Sequence, residues 1–213
     1  RMLTGPTIII VKLLRFRTKV LVSVGGMPRR STFRNILWPL VYGRSDGFIA
    51  SAHGVADMVG QISEVDVKTI DVVWDPVLDD EMLAAAQGQT NHEWFNDGGA
   101  PVVMSLGRLT RQKDFTTLLR AFAEAIKLVD ARLVIFGDGE ERGILEEEIR
   151  RLGITDKVDL PGFTDSPFAH LSQCDIFVLS SLWEGSSHAL IEAQGLGIPS
   201  ITTDCPSGQR EIA

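Results

Sequence analysis

The stretch Ser181–Glu211, SLWEGSSHALIEAQGLGIPSITTDCPSGQRE, decides how the chain is read. Just before it, Asp175-Ile176-Phe177-Val178-Leu179 is a short apolar run with β-branched and aromatic content, the signature of a buried strand in a parallel sheet. Trp183, Glu184, Gly185 and two serines then form a polar turn, and His188-Ala189-Leu190-Ile191-Glu192-Ala193 reads as a helix. Glu184 is thus placed in the loop, and Glu192 one turn into the helix. The first amides of a helix have no intrahelical acceptors and carry the positive end of the macrodipole, so an anion is expected at Ser187 to Ala189. A phosphate suits that position. The carboxylates on either side would repel a phosphate, so sugar and ribose hydroxyls are their natural partners.

Working outward, strands and helices alternate from Pro101 onward. The expected strands are 102–106, 133–136, 158–160, 175–179 and 200–202, separated by helices over 115–126, 140–152, 168–172 and 188–194. Such alternation makes a parallel α/β sheet, with ligands at the carboxyl ends of the strands. Every motif singled out follows a strand. Gly137-Asp138-Gly139 is only a partial dinucleotide fingerprint, because Gly143 comes one residue too late, and it reads as a tight turn.

Further upstream, Thr7–Val11, Val20–Val24, Asp46–Ser51 and Lys68–Val73 are expected strands, and Gly54–Ile62 an amphipathic helix. Arg34–Tyr42 is apolar enough for a helix that Pro39 kinks or ends. Gly25-Gly26 before Arg29-Arg30 reads as a surface turn, with phosphate binding the less common alternative. The polar, glycine-bearing run 78–99 is expected to be a linker, which gives domains 1–98 and 99–213.

The 213 residues are 44% hydrophobic, enough for a packed core. Cys174 and Cys205 suggest neither a disulfide framework nor a zinc site, and His92-Glu93 lacks the second histidine of a zinc-protease helix, since Asn96 stands there. No metal site is expected. Residues 1 to 45 carry nine of the 21 Lys and Arg and none of the 28 acids, so the remainder carries −16 of a net −7. That basic start suits either a solvated face or peripheral contact with an anionic membrane surface, and without interleaved aromatics it does not read nucleic acid. No apolar run reaches the length of a transmembrane helix, because Lys12, Arg15 and Arg17 interrupt the best candidate. The expected location is the cytoplasm, peripheral to the inner face of the membrane.

Glu184-Gly185 followed by Glu192-Ala193, then Gly195-x-Gly197-Ile198-Pro199, resembles the signature of group 1 glycosyltransferases, the retaining enzymes of GT-B fold. The resemblance extends to Gly107-Arg108 with Lys113, to Phe136-Gly137-Asp138-Gly139, to Pro161-Gly162-Phe163, and to Trp74-Asp75-Pro76-Val77, where Asp75 replaces the usual Asn. It implies a Rossmann-like donor domain plus part of a second Rossmann-like, acceptor-side domain. It also implies metal-independent transfer of a sugar from a nucleotide diphosphate sugar, UDP-linked, to a glycan or lipid-linked acceptor. The nucleotide sugar is a co-substrate, and no further cofactor is expected.

By that resemblance Arg108 and Lys113 stabilise the leaving diphosphate, while Glu184 holds a donor-sugar hydroxyl near the reacting carbon. Glu192 holds the ribose. Gly107, Gly162, Phe163, Thr164, Gly185, Ser187, His188 and Ala189 complete the donor site, with Phe163 as core and Ser187 as helix cap kept as alternatives. A complete family member would have further βα units before residue 1 and a returning helix after residue 213, so these residues alone are expected to turn over poorly. A sugar-nucleotide epimerase of similar fold and a non-catalytic nucleotide-sugar binding module are the competing readings.

Overall fold

The computed structural model describes residues 4–26, 38–39, 41–206 and 208–212. The chain forms two compact units. The first holds the chain through Asp75 together with Glu184–Ser186 and Pro206–Glu211; the second holds Pro76–Trp183, Ser187–Cys205 and Ile212.

In the first unit, helix α1 (Thr4–Leu13) precedes strand β1 (Leu21–Val24), strand β2 (Gly47–Ala50), helix α2 (His53–Ser63) and strand β3 (Ile70–Val72). The three strands are parallel in the order β1-β2-β3. Val22, Val24, Phe48 and Ala50 point from the sheet into a core closed by Val55 and Val59 of α2. The expected strand Thr7–Val11 is instead the middle of α1. Its β-branched residues favour a strand in isolation, but a strand would bury alternate residues. Here Ile8 is buried, Ile9 and Ile10 are exposed and Val11 is half-buried, a helical i, i+3 spacing. The expected helix 34–42 falls largely outside the described residues; 38–39 and 41 are helical.

The second unit contains α3 (Asp80–Ala85), β4 (Val102–Leu106), α4 (Phe115–Ala125), β5 (Arg132–Phe136), α5 (Arg142–Leu152) and β6 (Val158–Gly162). It continues with α6 (Pro167–Gln173), β7 (Ile176–Leu179), α7 (His188–Gly195) and β8 (Ser200–Thr202). All five strands are parallel in the order β6-β5-β4-β7-β8. Strand β5 alternates between two cores. Leu133 and Ile135 pack with Phe115, Leu119 and Leu145 of α4 and α5 on one face, whereas Val134 and Phe136 pack with Leu171, Phe177 and Leu190 on the other. Because the chain runs outward from β4 to β6 and then returns to β7 on the other side of β4, the strand order reverses between β4 and β7. The carboxyl ends of the strands at and beside such a reversal are where open α/β sheets take ligands.

The boundary expected after residue 98 falls instead between Asp75 and Pro76. Residues 78–99 are not a tether, because within the second unit they bury side chains and their carbonyls accept hydrogen bonds from helix α6. Asp79 caps α3 by accepting from the Met82 amide at 2.7 Å, and Met82 and Ala86, one turn apart, are both buried. Ser172 Oγ donates to the Ala86 carbonyl at 2.6 Å, Gln173 Nε2 donates to the Gly88 carbonyl at 3.1 Å, and His92 Nε2 lies 2.9 Å from Asp159 Oδ2.

Candidate functional site

A cleft of about 1240 Å³ opens in the second unit where β4, β5 and β6 end. Gly107 and Arg108 follow β4 into it, Gly137 and Asp138 follow β5, and Phe163 to Ser166 follow β6. The floor is backbone. The Gly107 amide donates to the Phe136 carbonyl at 3.0 Å and the Gly137 amide to the Gly162 carbonyl at 2.8 Å. At Gly137 a Cβ would stand 1.9 Å from the Gly107 carbonyl oxygen, at a φ of +139°, so only glycine lets the two turns pass this closely. The opposite wall is Val77 and the start of the stretch read from sequence as a linker: Asp79, Glu81, Met82 and Ala85 line it. The helical spacing of Met82 and Ala86 behind a capping Asp79 was the signal that could have revealed it.

Phe163 is 80% exposed, which overturns the alternative that it is core. An exposed aromatic ring at the mouth of a cleft is a stacking surface for a planar ligand. Arg108 brings a fixed positive charge to the same cleft. Lys113 lies beside it: its Cε would stand 2.9 Å from a Cβ on Gly107, so its stem crosses that glycine.

The basic loop is stitched to the loop after β7. Ser180 Oγ donates to the Lys113 carbonyl at 2.7 Å, the Leu182 amide to the Gln112 carbonyl at 2.8 Å, and Gln112 Nε2 to the Trp183 carbonyl at 2.9 Å. Ser105 Oγ, inside β4, donates to the Val178 carbonyl at 2.6 Å, so the two neighbouring strands are locked as well as their loops.

Ser187 occupies the N-cap of α7, but its hydroxyl makes no cap bond there. That overturns the alternative in which its side chain caps the helix. Its Oγ is buried without a hydrogen-bond partner. It leaves a hydroxyl donor beside the first amides of the helix, which have no intrahelical acceptors. Glu192, one turn further, is half-buried, and burial raises its carboxyl above the usual carboxylate range while nearby His188 opposes that shift. Glu184 is buried. It belongs with Gly185 and Ser186 to the first unit, where a Cβ on Gly185 would meet the Gly25 carbonyl oxygen at 2.4 Å.

The predicted site residues therefore fall into distinct places. Gly107, Arg108, Phe163 and Thr164 line the cleft; Gly162 lies in its floor, and Lys113 lies over Gly107. Ser187, His188, Ala189 and Glu192 form the start of α7 and are not among the cleft-lining residues. Glu184 and Gly185 are grouped with the other unit. Sequence reasoning missed Asp138, Asp165, Ser166 and the 77–85 wall.

Parallel α/β units of this kind, with the strand reversal and ligand crevice in the second, place the molecule in the GT-B class. It superposes on Anabaena HepE in complex with UDP with a TM-score of 0.79 at 16% identity, over 99% of this chain and 59% of that one. It superposes on sucrose-phosphate synthase from Thermosynechococcus elongatus with a TM-score of 0.77 at 18% identity, over 95% and 54%. At these identities the likeness is one of fold. The family model for group 1 glycosyl transferases matches residues 89–213, and the chain belongs to that family. An uncharacterized glycosyltransferase of Methanocaldococcus jannaschii is 44% identical over 112 residues, which are 52% of this chain and 28% of that protein. An N-acetylgalactosaminyltransferase of Campylobacter jejuni that acts on an N-acetylgalactosamine-N,N'-diacetylbacillosaminyl-diphospho-undecaprenol is 36% identical over 110 residues, 52% of this chain and 30% of that protein. The match thus spans under a third of these relatives' lengths. Among the described residues no helix is long and apolar enough to cross a membrane.

Proposed function

We propose that the second unit binds the nucleotide diphosphate sugar of a retaining glycosyltransferase, UDP-linked, and that the whole protein transfers its sugar to a glycan or lipid-linked acceptor without a metal. The observation that carries this is the cleft, in which an exposed Phe163 for the base and a cationic Arg108 for the diphosphate share one crevice at the carboxyl ends of parallel strands. Arg108 and Lys113 take up negative charge on the departing diphosphate through charge-assisted hydrogen bonds. The start of α7 receives phosphate oxygens on the amides of His188 and Ala189, with the orphan Ser187 hydroxyl as a further donor. Glu192 accepts from the ribose hydroxyls and Glu184 from a sugar hydroxyl. HepE was crystallised with UDP and the Campylobacter relative acts on a lipid-linked acceptor, which supports the choice of donor and acceptor class.

The first unit carries the acceptor side in this reading. Ile10, Leu13, Leu14 and Phe16 are exposed in the basic segment that contains Lys12, Arg15 and Arg17, a composition that favours peripheral contact with an anionic inner leaflet.

The deciding experiment is calorimetry of UDP, GDP and ADP against the whole protein, followed by a turnover assay with the matching nucleotide sugars with and without EDTA. Micromolar UDP binding and EDTA-resistant transfer support the proposal. Loss of turnover in EDTA sinks the metal-free mechanism, and absence of nucleotide binding sinks the donor site itself.

A further inference from the structure

Beneath the cleft lies a histidine that the donor-site reading does not use. His170, in α6, is fully buried. Its Nδ1 donates to the Ser166 carbonyl at 2.7 Å and lies 3.4 Å from Thr164 Oγ1, which itself accepts from the Ser166 amide at 3.1 Å. Its Nε2 lies 3.1 Å from Asn91 Oδ1. The ring packs against Phe136, the last residue of β5, at 4.4 Å between centroids, and against Phe95 at 5.3 Å. One imidazole therefore touches three parts of the cleft's surroundings: the floor at Phe136, the rim after β6 at Thr164 and Ser166, and the continuation of the 77–89 wall at Asn91.

Packing alone does not require an imidazole there. An apolar residue would fill the space beside Phe136 and Phe95 equally well, and a buried polar ring carries a desolvation cost unless both nitrogens are used. Both are used here. The carbonyl of Ser166 accepts from the Nδ1 N–H, and Nε2 faces Asn91 Oδ1, a contact the neutral ring turns into a hydrogen bond when the Asn91 amide is flipped to present its NH₂. Each bond ends on backbone or side chain of a cleft-bordering segment, and neither ends within α6 beyond its own N-terminal turn.

We propose that His170 is a positioning residue for nucleotide binding: it holds the Thr164–Ser166 rim, and with it the neighbouring Phe163 ring, in register with the wall that Asn91 anchors. This rests on the reading of the cleft as the nucleotide site. The two nitrogens have separable jobs. His170→Asn keeps an amide NH₂ where Nδ1 was and so keeps the Ser166 bond, while His170→Gln reaches toward Asn91 and gives up Ser166.

The test uses UDP as the probe on the whole protein, with hydrogen exchange measured in parallel. For His170→Gln, UDP binding weakens by about tenfold, the loss expected for one buried hydrogen bond. Amides of residues 164–166 also exchange faster, while those of residues 133–136 in β5 stay protected. For His170→Asn, UDP binding stays within about threefold of the original protein. A purely structural role would lower Tm in both variants and leave UDP affinity of the folded fraction and the 164–166 exchange unchanged, and that result overturns the proposal. If the unaltered protein fails to bind UDP, the nucleotide-site reading falls. The exchange measurement still decides whether His170 holds the rim.

Discussion

The hydroxyl of Ser180 donates to the carbonyl of Lys113 at 2.7 Å, and this bond joins the segments that follow β4 and β7, the neighbouring strands between which the strand order reverses. The loop carrying Arg108 and Lys113 is thereby fixed to the chain that leads into Glu184. Ser180→Ala leaves the Lys113 carbonyl without that donor, and we expect a loss of about 1 kcal/mol in stability. A larger fall in kcat than in folded fraction is expected too, because the basic loop is released. Thermal melts and single-turnover kinetics on the same preparation separate the two effects.

Arg108→Ala removes a charge from the cleft without disturbing a core. The expected result is a fall in kcat/KM of about 10- to 100-fold, matching ~1.5–3 kcal/mol for a charge-assisted bond, with Tm nearly unchanged. Equal activity in the variant would remove Arg108 from the mechanism.

Phe163→Ala separates binding from folding even more cleanly. A side chain that is 80% exposed contributes little to the core, so stability should change by no more than about 0.5 kcal/mol. Base stacking on an aromatic ring is worth about 1–3 kcal/mol, so UDP affinity should drop by about 5- to 100-fold. Leucine at this position should recover only part of it.

Acid sensitivity should appear in two stages. Burial lowers the pKa of His170 below its ordinary 6.5, so the unfolded chain binds the extra proton first. The stability this group contributes is complete above pH 6.5 and is lost as pH falls from there toward the depressed value. Glu148 is held at about 2, below its ordinary 4.5, by hydrogen bonds first from Arg151 and then from Arg120, so its contribution is complete above 4.5 and disappears as pH drops toward 2. Denaturant melts at half-unit pH intervals should show the first stage vanish in His170→Asn and persist in Glu148→Gln.

In the first unit, Glu211 accepts from the amides of His53 and Gly54 at 2.9 and 2.8 Å, where α2 begins on Ala52 with no side-chain cap of its own. A residue 157 positions away in sequence from Gly54 thus supplies the cap. Glu211→Ala should cost about 1 kcal/mol, and Glu211→Gln, which keeps an acceptor oxygen, should retain much of the cap. An equal loss in Glu211→Gln would show that the carboxylate does more than cap the helix.

Most of the second sheet could be read from sequence because its signals are local. Short apolar runs such as Val102–Leu106 and Ile176–Leu179 alternate with helices of clear periodicity, and glycine marks the turns at 107, 137 and 153. Where reading failed, tertiary contacts decided. Ile8, Ile9 and Ile10 have strand propensity, yet only Ile8 finds a core, and the segment winds into a helix. Residues 78–99 look polar and loose, yet Met82 and Ala86 are buried and α6 side chains bind the carbonyls behind them. At the candidate site, motif resemblance located the residues at strand ends. It could not foresee the partnerless hydroxyl of Ser187 or the bonds of His170, which depend on segments far apart in sequence.

That docked stretch has a practical corollary for dissecting the molecule. A recombinant second unit begun at residue 99 would discard Met82, Ala86 and Asn91, strip one side from the crevice and leave His170 facing water. A piece that starts at Pro76 keeps that wall and the Asn91 contact.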